Sequence, residues 1–255
     1  MMIILKSPHE VELMRRAGKI TAAARALAGQ MVSAGVTTLE IDKAVKSYIV
    51  SERARPAFLG YNGFPNSVCI SVNEQVIHGI PGNRVLCDGD VVSIDVGVEK
   101  DGFVGDCAAT YIVGAGDAES EKLVEVTRQS FFEGIKFAKA GFRVSDISGA
   151  IQRHAEANGF SVVREYVGHG IGSKMHEPPE VPNYVQTPRS GPNPRLIAGM
   201  TLAVEPMINA GGAEIRILSD GWTVTTSDGK NSAHYENTIL ITKGEPEILT
   251  AHEAM

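Results

Sequence analysis

Twice in this chain a glycine stands six residues ahead of a carboxylate that closes a β-prone run. The first copy is Asp88-Gly89-Asp90-Val91-Val92-Ser93-Ile94-Asp95, the second Ala198-Gly199-Met200-Thr201-Leu202-Ala203-Val204-Glu205. In each case a later carboxylate opens another such run: Asp106 before Ala108–Val113, and Glu236 before Thr238–Ile241. Two helical patterns precede each set. Ser7-Pro8-His9-Glu10 has the form of a capping box with proline at the first helical position. Val11, Met14, Ala17, Ile20, Ala24, Leu27 and Met31 follow at helical spacing, and Gly35 ends the pattern. Thr37-Thr38-Leu39-Glu40 opens a second helix. Further helices are predicted over about 118–139, stopped by Gly141, and about 145–158. Strands are predicted at 67–72, 91–98, 103–113, 161–166, 201–207, 214–218, 222–226 and 234–242. The pattern is an internal duplication, halves about 1–115 and 116–250, meeting around a shared acidic centre. It predicts one domain over 1–255 of mixed α/β (α+β) class.

Composition removes several classes. With 255 residues the chain can bury a large core without disulfides. Lys plus Arg is 24 against 30 Asp plus Glu, a net charge of −6, which disfavours a general binder of DNA or of anionic membranes. No apolar run reaches membrane-span length, and the first six residues lack the basic segment of a signal peptide. Three scattered cysteines, Cys69, Cys87 and Cys107, suit free thiols in the cytoplasm. Residues 1–56 nevertheless carry nine basic against five acidic side chains, a basic face that could meet something anionic. The six prolines within 178–196 predict a loop of restricted backbone.

The candidate chemistry lies in carboxylates and histidines. Asp101-Gly102 marks a tight turn between two runs, so Asp95 and Asp106 share one face of a hairpin. A loop at 100–101 puts them directly opposite; a loop at 101–102 makes them diagonal neighbours. Adjacent carboxylates repel unless a proton or a cation sits between them. Glu205 ends an apolar strand and Glu236 begins another. Gly168-His169-Gly170-Ile171-Gly172 holds an imidazole where backbone can approach a ligand closely. His176 follows seven residues on, and His78-Gly79-Ile80-Pro81 is a third tight segment. Four carboxylates and one imidazole form a hard, oxygen-rich donor set suited to Mn²⁺, Fe²⁺ or Co²⁺, with Zn²⁺ competing. Two divalent ions would offset four negative charges and serve amide or phosphate hydrolysis.

The ordered set Tyr61-Asn62-Gly63-Phe64-Pro65, His78-Gly79-Ile80-Pro81, Asp95-x10-Asp106, Gly168-His169-Gly170-Ile171-Gly172, His176-Glu177, Glu205-Pro206 and Tyr235-Glu236 resembles the type I methionine aminopeptidases. The resemblance spans essentially the whole chain. Only 35 residues lie between His169 and Glu205, which leaves no room for the helical insertion of the type II enzymes. The resemblance implies the pita-bread fold, two pseudosymmetric halves around a dinuclear metallopeptidase centre. It implies Asp106 and Glu236 as bridging ligands, Asp95 on one metal, and His169 with Glu205 on the other. It implies His78 and His176 near the scissile amide, His176 on the developing oxyanion, and Glu205 as proton shuttle. The substrate is then the N-terminal methionine of nascent polypeptides, with a small second residue preferred. Phe58, Tyr61, Phe64, Cys69, Met175 and Trp222 would line the methionine pocket, with Met175 and Phe58 departing from the residues usual there, as does Gly97 near Asp95. His234 also varies within the family. A monomer with weak ribosome contact through the basic N-terminal helices is expected. A non-catalytic relative would be expected to lack ligands, and all five are present. An Xaa-Pro peptidase would be expected to carry an additional N-terminal domain and a less apolar pocket.

Overall fold

The computed structural model describes residues 3–185 and 192–251. Four helices and a set of antiparallel sheets account for most of it. Helix α1 (Pro8–Gln30) begins with the predicted reciprocal cap: the Glu10 amide donates to Ser7 Oγ, and the Ser7 amide donates to Glu10 Oε2. Helix α2 (Thr38–Ser51) repeats this with Thr37 and Glu40. In α3 (Ala118–Ile135) the cap is Asp117, which accepts from the Ser120 amide. The fourth helix, α4 (Val144–Ala157), is capped by Asp146 reaching back to the Arg143 amide. Each such cap satisfies amides that the helix itself cannot.

Helices α1 and α2 pack on a four-stranded sheet of Arg55–Pro56, Cys69–Val72, Val91–Lys100 and Phe103–Ile112. Their shared core includes Ala24, Ala28, Ile41, Val45, Ile70, Val92 and Ile94, all at most 2 % exposed. Helices α3 and α4 pack on a five-stranded sheet of Glu177–Val181, Gly168–Gly170, Thr201–Val204, Asn237–Leu240 and Glu247–Ile248. Two three-stranded sheets flank these, one holding Met207–Asn209 between Ser161–Val162 and Ser232–His234, the other holding Val224–Thr226 between Gln75–Ile77 and Ile215–Ile217. Two helices over an antiparallel sheet thus occur twice, as the repeated pattern predicts.

The halves meet through strand pairing of Gln75–Ile77 with Val224–Thr226, through apolar packing of Val11, Met14 and Val104 against Ile171, Leu240 and Leu249, and through a polar seam at the centre. Ala108 and Glu236 exchange both amide hydrogen bonds, at 3.2 and 2.9 Å. Beside them Thr238 Oγ1 accepts from the Asp106 amide at 3.0 Å and donates to the Asp106 carbonyl at 2.9 Å. The main-chain groups beside two carboxylates therefore fix the halves to one another at the acidic centre.

Several element boundaries differ from the sequence reading, each for a local reason. The predicted strand 201–207 is broken into Thr201–Val204 and Met207–Asn209, because Pro206 has no amide to continue a ladder. The run 234–242 likewise divides at Tyr235-Glu236, where the chain passes from one sheet to another. Only Ser161–Val162 of the predicted 161–166 strand pairs. Within 178–196 the chain forms an edge strand, Glu177–Val181, where prolines are tolerated on the unpaired side; Pro188 lies outside the described residues.

Candidate metal centre

The Val91–Lys100 and Phe103–Ile112 strands turn at Asp101-Gly102, whose φ values of +52° and +81° are those of a two-residue primed turn. This turn pairs Lys100 with Phe103 and carries the register to Gly97 opposite Asp106 and Asp95 opposite Ala108. Asp95 and Asp106 are therefore diagonal neighbours on one face. On the other half, Val204 pairs with Asn237, so Glu205 and Glu236 face each other just beyond that ladder. The seam brings the four carboxylates to one place.

His169 enters from the central strand Gly168–Gly170. The glycines beside it make room for neighbouring strands rather than for a ligand. A Cβ at Gly168 would lie 2.4 Å from the Ala203 carbonyl oxygen, and one at Gly170 would lie 2.3 Å from that of Pro178. His169 Nδ1 donates to the Gly170 carbonyl at 2.9 Å, which leaves Nε2 as the acceptor nitrogen, 3.5 Å from Glu205 Oε1. Ligand atoms of Asp106, His169 and Glu236 lie within 4.8 Å of one another, and those of Glu205, His234 and Glu236 do the same.

His234 is thus a second imidazole at the site, one that the sequence reading left without a role. Its Nε2 is 3.7 Å from Glu205 and 3.9 Å from Glu236. The strand Ser232–His234 leads into Glu236 with period two, a spacing that could have identified it.

The electrostatics of this cluster are severe. Asp95 Oδ1, Asp106 Oδ1, Glu236 Oε1 and His234 Nε2 are buried with no hydrogen-bond partner among the described residues. Burial pushes the Asp95 carboxyl up to about 7, offset in part by hydrogen bonding from the Asp106 side. Burial and mutual repulsion hold Asp106, Glu205 and Glu236 well above the usual carboxylate range. Burial also depresses His169 and His234 to about 3, so both imidazoles are neutral at physiological pH. Orphaned carboxylate oxygens beside neutral imidazoles are a donor set for divalent cations, and the residues fit such a group.

The remaining predicted residues surround this centre. His78 sits at φ +58°, a left-handed conformation uncommon for a side chain with a Cβ, next to Gly79, where a Cβ would lie 2.2 Å from the Ile70 carbonyl oxygen. Its ring packs edge-on against Tyr166, a residue sequence reasoning missed, and against Trp222. Burial lowers His78 to about 4. Trp222 in turn meets Phe64 edge-on at 5.2 Å. The His176 ring lies 4.2 Å from that of His169, and its Nδ1 is 2.7 Å from Tyr61 Oη. Cys69 pairs in register with Asp95 and is buried. Phe58 and Met175 converge on Gly97, where a Cβ would stand 2.7 Å from Phe58 Cε1 and 2.8 Å from Met175 Cε. The six predicted pocket residues therefore form three groups, Tyr61 by His176, Phe64 with Trp222 by His78, and Phe58 with Met175 by Gly97, with Cys69 beside Asp95.

Comparison with known proteins agrees with this arrangement. Residues 12–243 match the sequence profile of metallopeptidase family M24. The methionine aminopeptidase of Clostridium perfringens is 54 % identical over 249 residues, covering 98 % of this chain and 99 % of that protein. Methionine aminopeptidase 1 of Bacillus subtilis is 49 % identical with the same coverage. The crystal structure of methionine aminopeptidase from Thermotoga maritima superposes with a TM-score of 0.94 at 44 % identity, covering 98 % of this chain and all of that one. A prolidase from Pyrococcus furiosus, at 20 % identity and a TM-score of 0.78, shares the fold over 66 % of its own chain. The two-halved architecture is the pita-bread fold of these enzymes, and the chain belongs to metallopeptidase family M24.

Proposed function

We propose that this protein removes the N-terminal methionine of polypeptides by metal-dependent hydrolysis of the first peptide bond. The observation that carries the reading is the seam itself. Four carboxylates from two halves converge there, three of them (Asp95, Asp106 and Glu236) with orphaned oxygens, beside neutral His169. Asp95, Asp106, His169, Glu205 and Glu236 would hold two divalent ions, drawn from Mn, Fe, Co or Zn. Bound there, the ions would supply Lewis acidity and a water of lowered pKa. Residues 1–255 act in this reading as one catalytic domain, since neither half alone contains the ligand set.

The chain's own residues then divide the work. Glu205 Oε1 faces the His169 imidazole and carries a raised pKa, so it can accept a proton near neutrality and pass it to the leaving amine. His176 stands at the rim beside His169. Its Nδ1 is engaged by Tyr61 Oη, which orients the ring and directs Nε2 to donate to the developing oxyanion. His78, neutral and fixed between Tyr166 and Trp222, positions the substrate amide. Phe58, Tyr61, Phe64, Cys69, Met175 and Trp222 give an apolar wall for the methionine side chain, and a small second residue is preferred. Met175 and Phe58 make the wall around Gly97 deformable on one side and aromatic on the other.

No helix among the described residues is long and apolar enough to cross a membrane, and Cys69, Cys87 and Cys107 carry no disulfide. We place the enzyme in the cytoplasm as a monomer, with the basic face of the N-terminal helices available for weak ribosome contact. The test is to strip the protein of metal and supply a Met-Ala-Ser peptide with and without Mn²⁺ or Co²⁺. Metal-dependent release of methionine, absent with the N-acetylated peptide, is expected. Folded protein that releases none with any metal overturns the reading.

A further inference from the structure

Arg25 lies on α1 behind the metal centre and is 4 % exposed. A buried guanidinium normally has a carboxylate partner, because its five donors are costly to desolvate. The other deeply buried cation follows that rule: Lys6 Nζ meets Glu177 Oε2 at 2.5 Å. Arg25 does not. Among the described residues no carboxylate lies within ion-pair distance. Its hydrogen bonds all come from Nη1, to the Ala108 carbonyl, the Glu236 carbonyl and Asn237 Oδ1, each at 3.4 Å and so longer than a well-formed bond. The guanidinium faces a cavity of about 260 Å³. That volume holds several waters or one small organic molecule.

The cavity has a second guanidinium. Arg128, from α3, lines its exposed side. Two of its nitrogens, Nε and Nη2, engage Glu125 at 3.0 Å each, and Nη1 has no hydrogen bond among the described residues. The Thr110 hydroxyl is spoken for, since it donates to the His234 carbonyl at 2.8 Å and accepts from the His234 amide at 2.9 Å, which leaves the two arginines as the donors for an anionic guest. Tyr111, Tyr235 and Val124 supply apolar walls. Two guanidinium groups over a chamber whose other walls are mostly apolar, with Thr110 and His234 as the polar exceptions, are complementary to a negative head group on a short apolar body.

We propose that this chamber is a binding site for a small oxyanion, held by Arg25 at its base and Arg128 at its mouth, lying behind the metal centre with His234 in the shared wall and apart from the methionine pocket. The shared chemistry is that of an organic acid or of free phosphate. The test is calorimetry on the metal-loaded full chain at fixed ionic strength, with chloride as control. One probe is benzenesulfonate, an oxyanion with an apolar body and little affinity for divalent metals; the other is inorganic phosphate. Saturable binding of benzenesulfonate, lost in Arg25→Leu and weakened about tenfold in Arg128→Ala, is expected and identifies an organic acid site. Saturable binding of phosphate alone, with the same dependence on both arginines, supports the site and assigns it to the inorganic anion. Binding of neither above the chloride control means that the chamber holds only solvent and overturns the proposal. Binding unchanged in both variants overturns it equally, since it belongs to the metals or to the surface. Should Arg25→Leu fail to fold, Arg128→Ala together with Arg128→Leu decides, because Arg128 stands on an exposed helix face.

Discussion

Removing the metal should make this protein lose stability in alkali. Asp106, Glu205 and Glu236 hold protons in the folded metal-free chain well above the pH at which they release them when unfolded. The folded state therefore binds more protons than the unfolded state at neutral pH, and its stability falls as pH rises. The histidines act oppositely. His78 at about 4, with His169 and His234 at about 3, lie below the ordinary imidazole value, so they add stability as pH rises toward 6.5 and nothing beyond it. The two effects oppose each other in mild acid, where Asp95 also titrates at about 7. Above pH 7 the histidines no longer contribute; the three carboxylates act there, joined toward pH 9 by the buried Cys69 and Cys107 thiols, which burial also raises and which act in the same direction. Each one still protonated costs about 1.4 kcal/mol per pH unit. For a chain of this size that is about 3–6 °C in Tm for every pH unit over which one such group stays protonated. With divalent metal bound the carboxylates are already ionised, so their share of the dependence should vanish. Thermal melts of chelator-stripped protein at pH 7, 8 and 9, with and without added Mn²⁺, measure this directly. A metal-free Tm that stays level or rises across that range would refute the electrostatic account of the site.

Other substitutions probe separate parts of the structure. His176→Ala should keep its metal content while kcat falls about 10²–10³-fold, and Tyr61→Phe, which loses only the 2.7 Å contact to Nδ1, should cost much less; metal analysis with peptide kinetics distinguishes them. Gly97→Val would drive a Cβ into Phe58 and Met175, so KM for Met-Ala peptides should rise more than kcat falls, with metal retained. Lys6→Met leaves Glu177 buried and alone, which should destabilise by about 3–5 kcal/mol in denaturant titrations. Adding Glu177→Gln to that variant should restore part of the loss, and no recovery would argue that packing, not charge, dominates there.

What the sequence made legible was local. The helix caps at Ser7 and Thr37 formed as read, because both partners of each cap lie within four residues. The hairpin register followed from Asp101-Gly102, with the diagonal of the two open arrangements realised. The two-halved plan was readable because a repeated pattern carries its own control. What stayed hidden depended on distant chain. Gly168 and Gly170 read as a ligand-approach motif, yet they are small because Ala203 and Pro178 crowd them from other strands. His234 looked like one more polar residue until the strand partner Met207 fixed its direction. Arg25 sat in an alanine-rich helix, and nothing nearby in sequence announced the chamber it faces. The four carboxylates and an imidazole could be picked out from the sequence as a donor set, but how they would divide between two ions came only from family resemblance, since hydrogen bonds spanning 132 residues bring the halves together.

That separation has a consequence for how the molecule comes into being. The first half can complete its caps, its hairpin and its core from contacts near in sequence, but the acidic face it then presents has no counterpart until Glu236 and Thr238 arrive. Pairings across so long a span close late, because the intervening loop entropy is met before the contact is made. A partly synthesised chain is therefore a folded scaffold with half a ligand set, and the ability to bind metal should switch on abruptly with docking of the Asn237–Leu240 strand. Arrival of Glu236 at the acidic centre is then among the last steps in folding, and metal can act as the final lock on it.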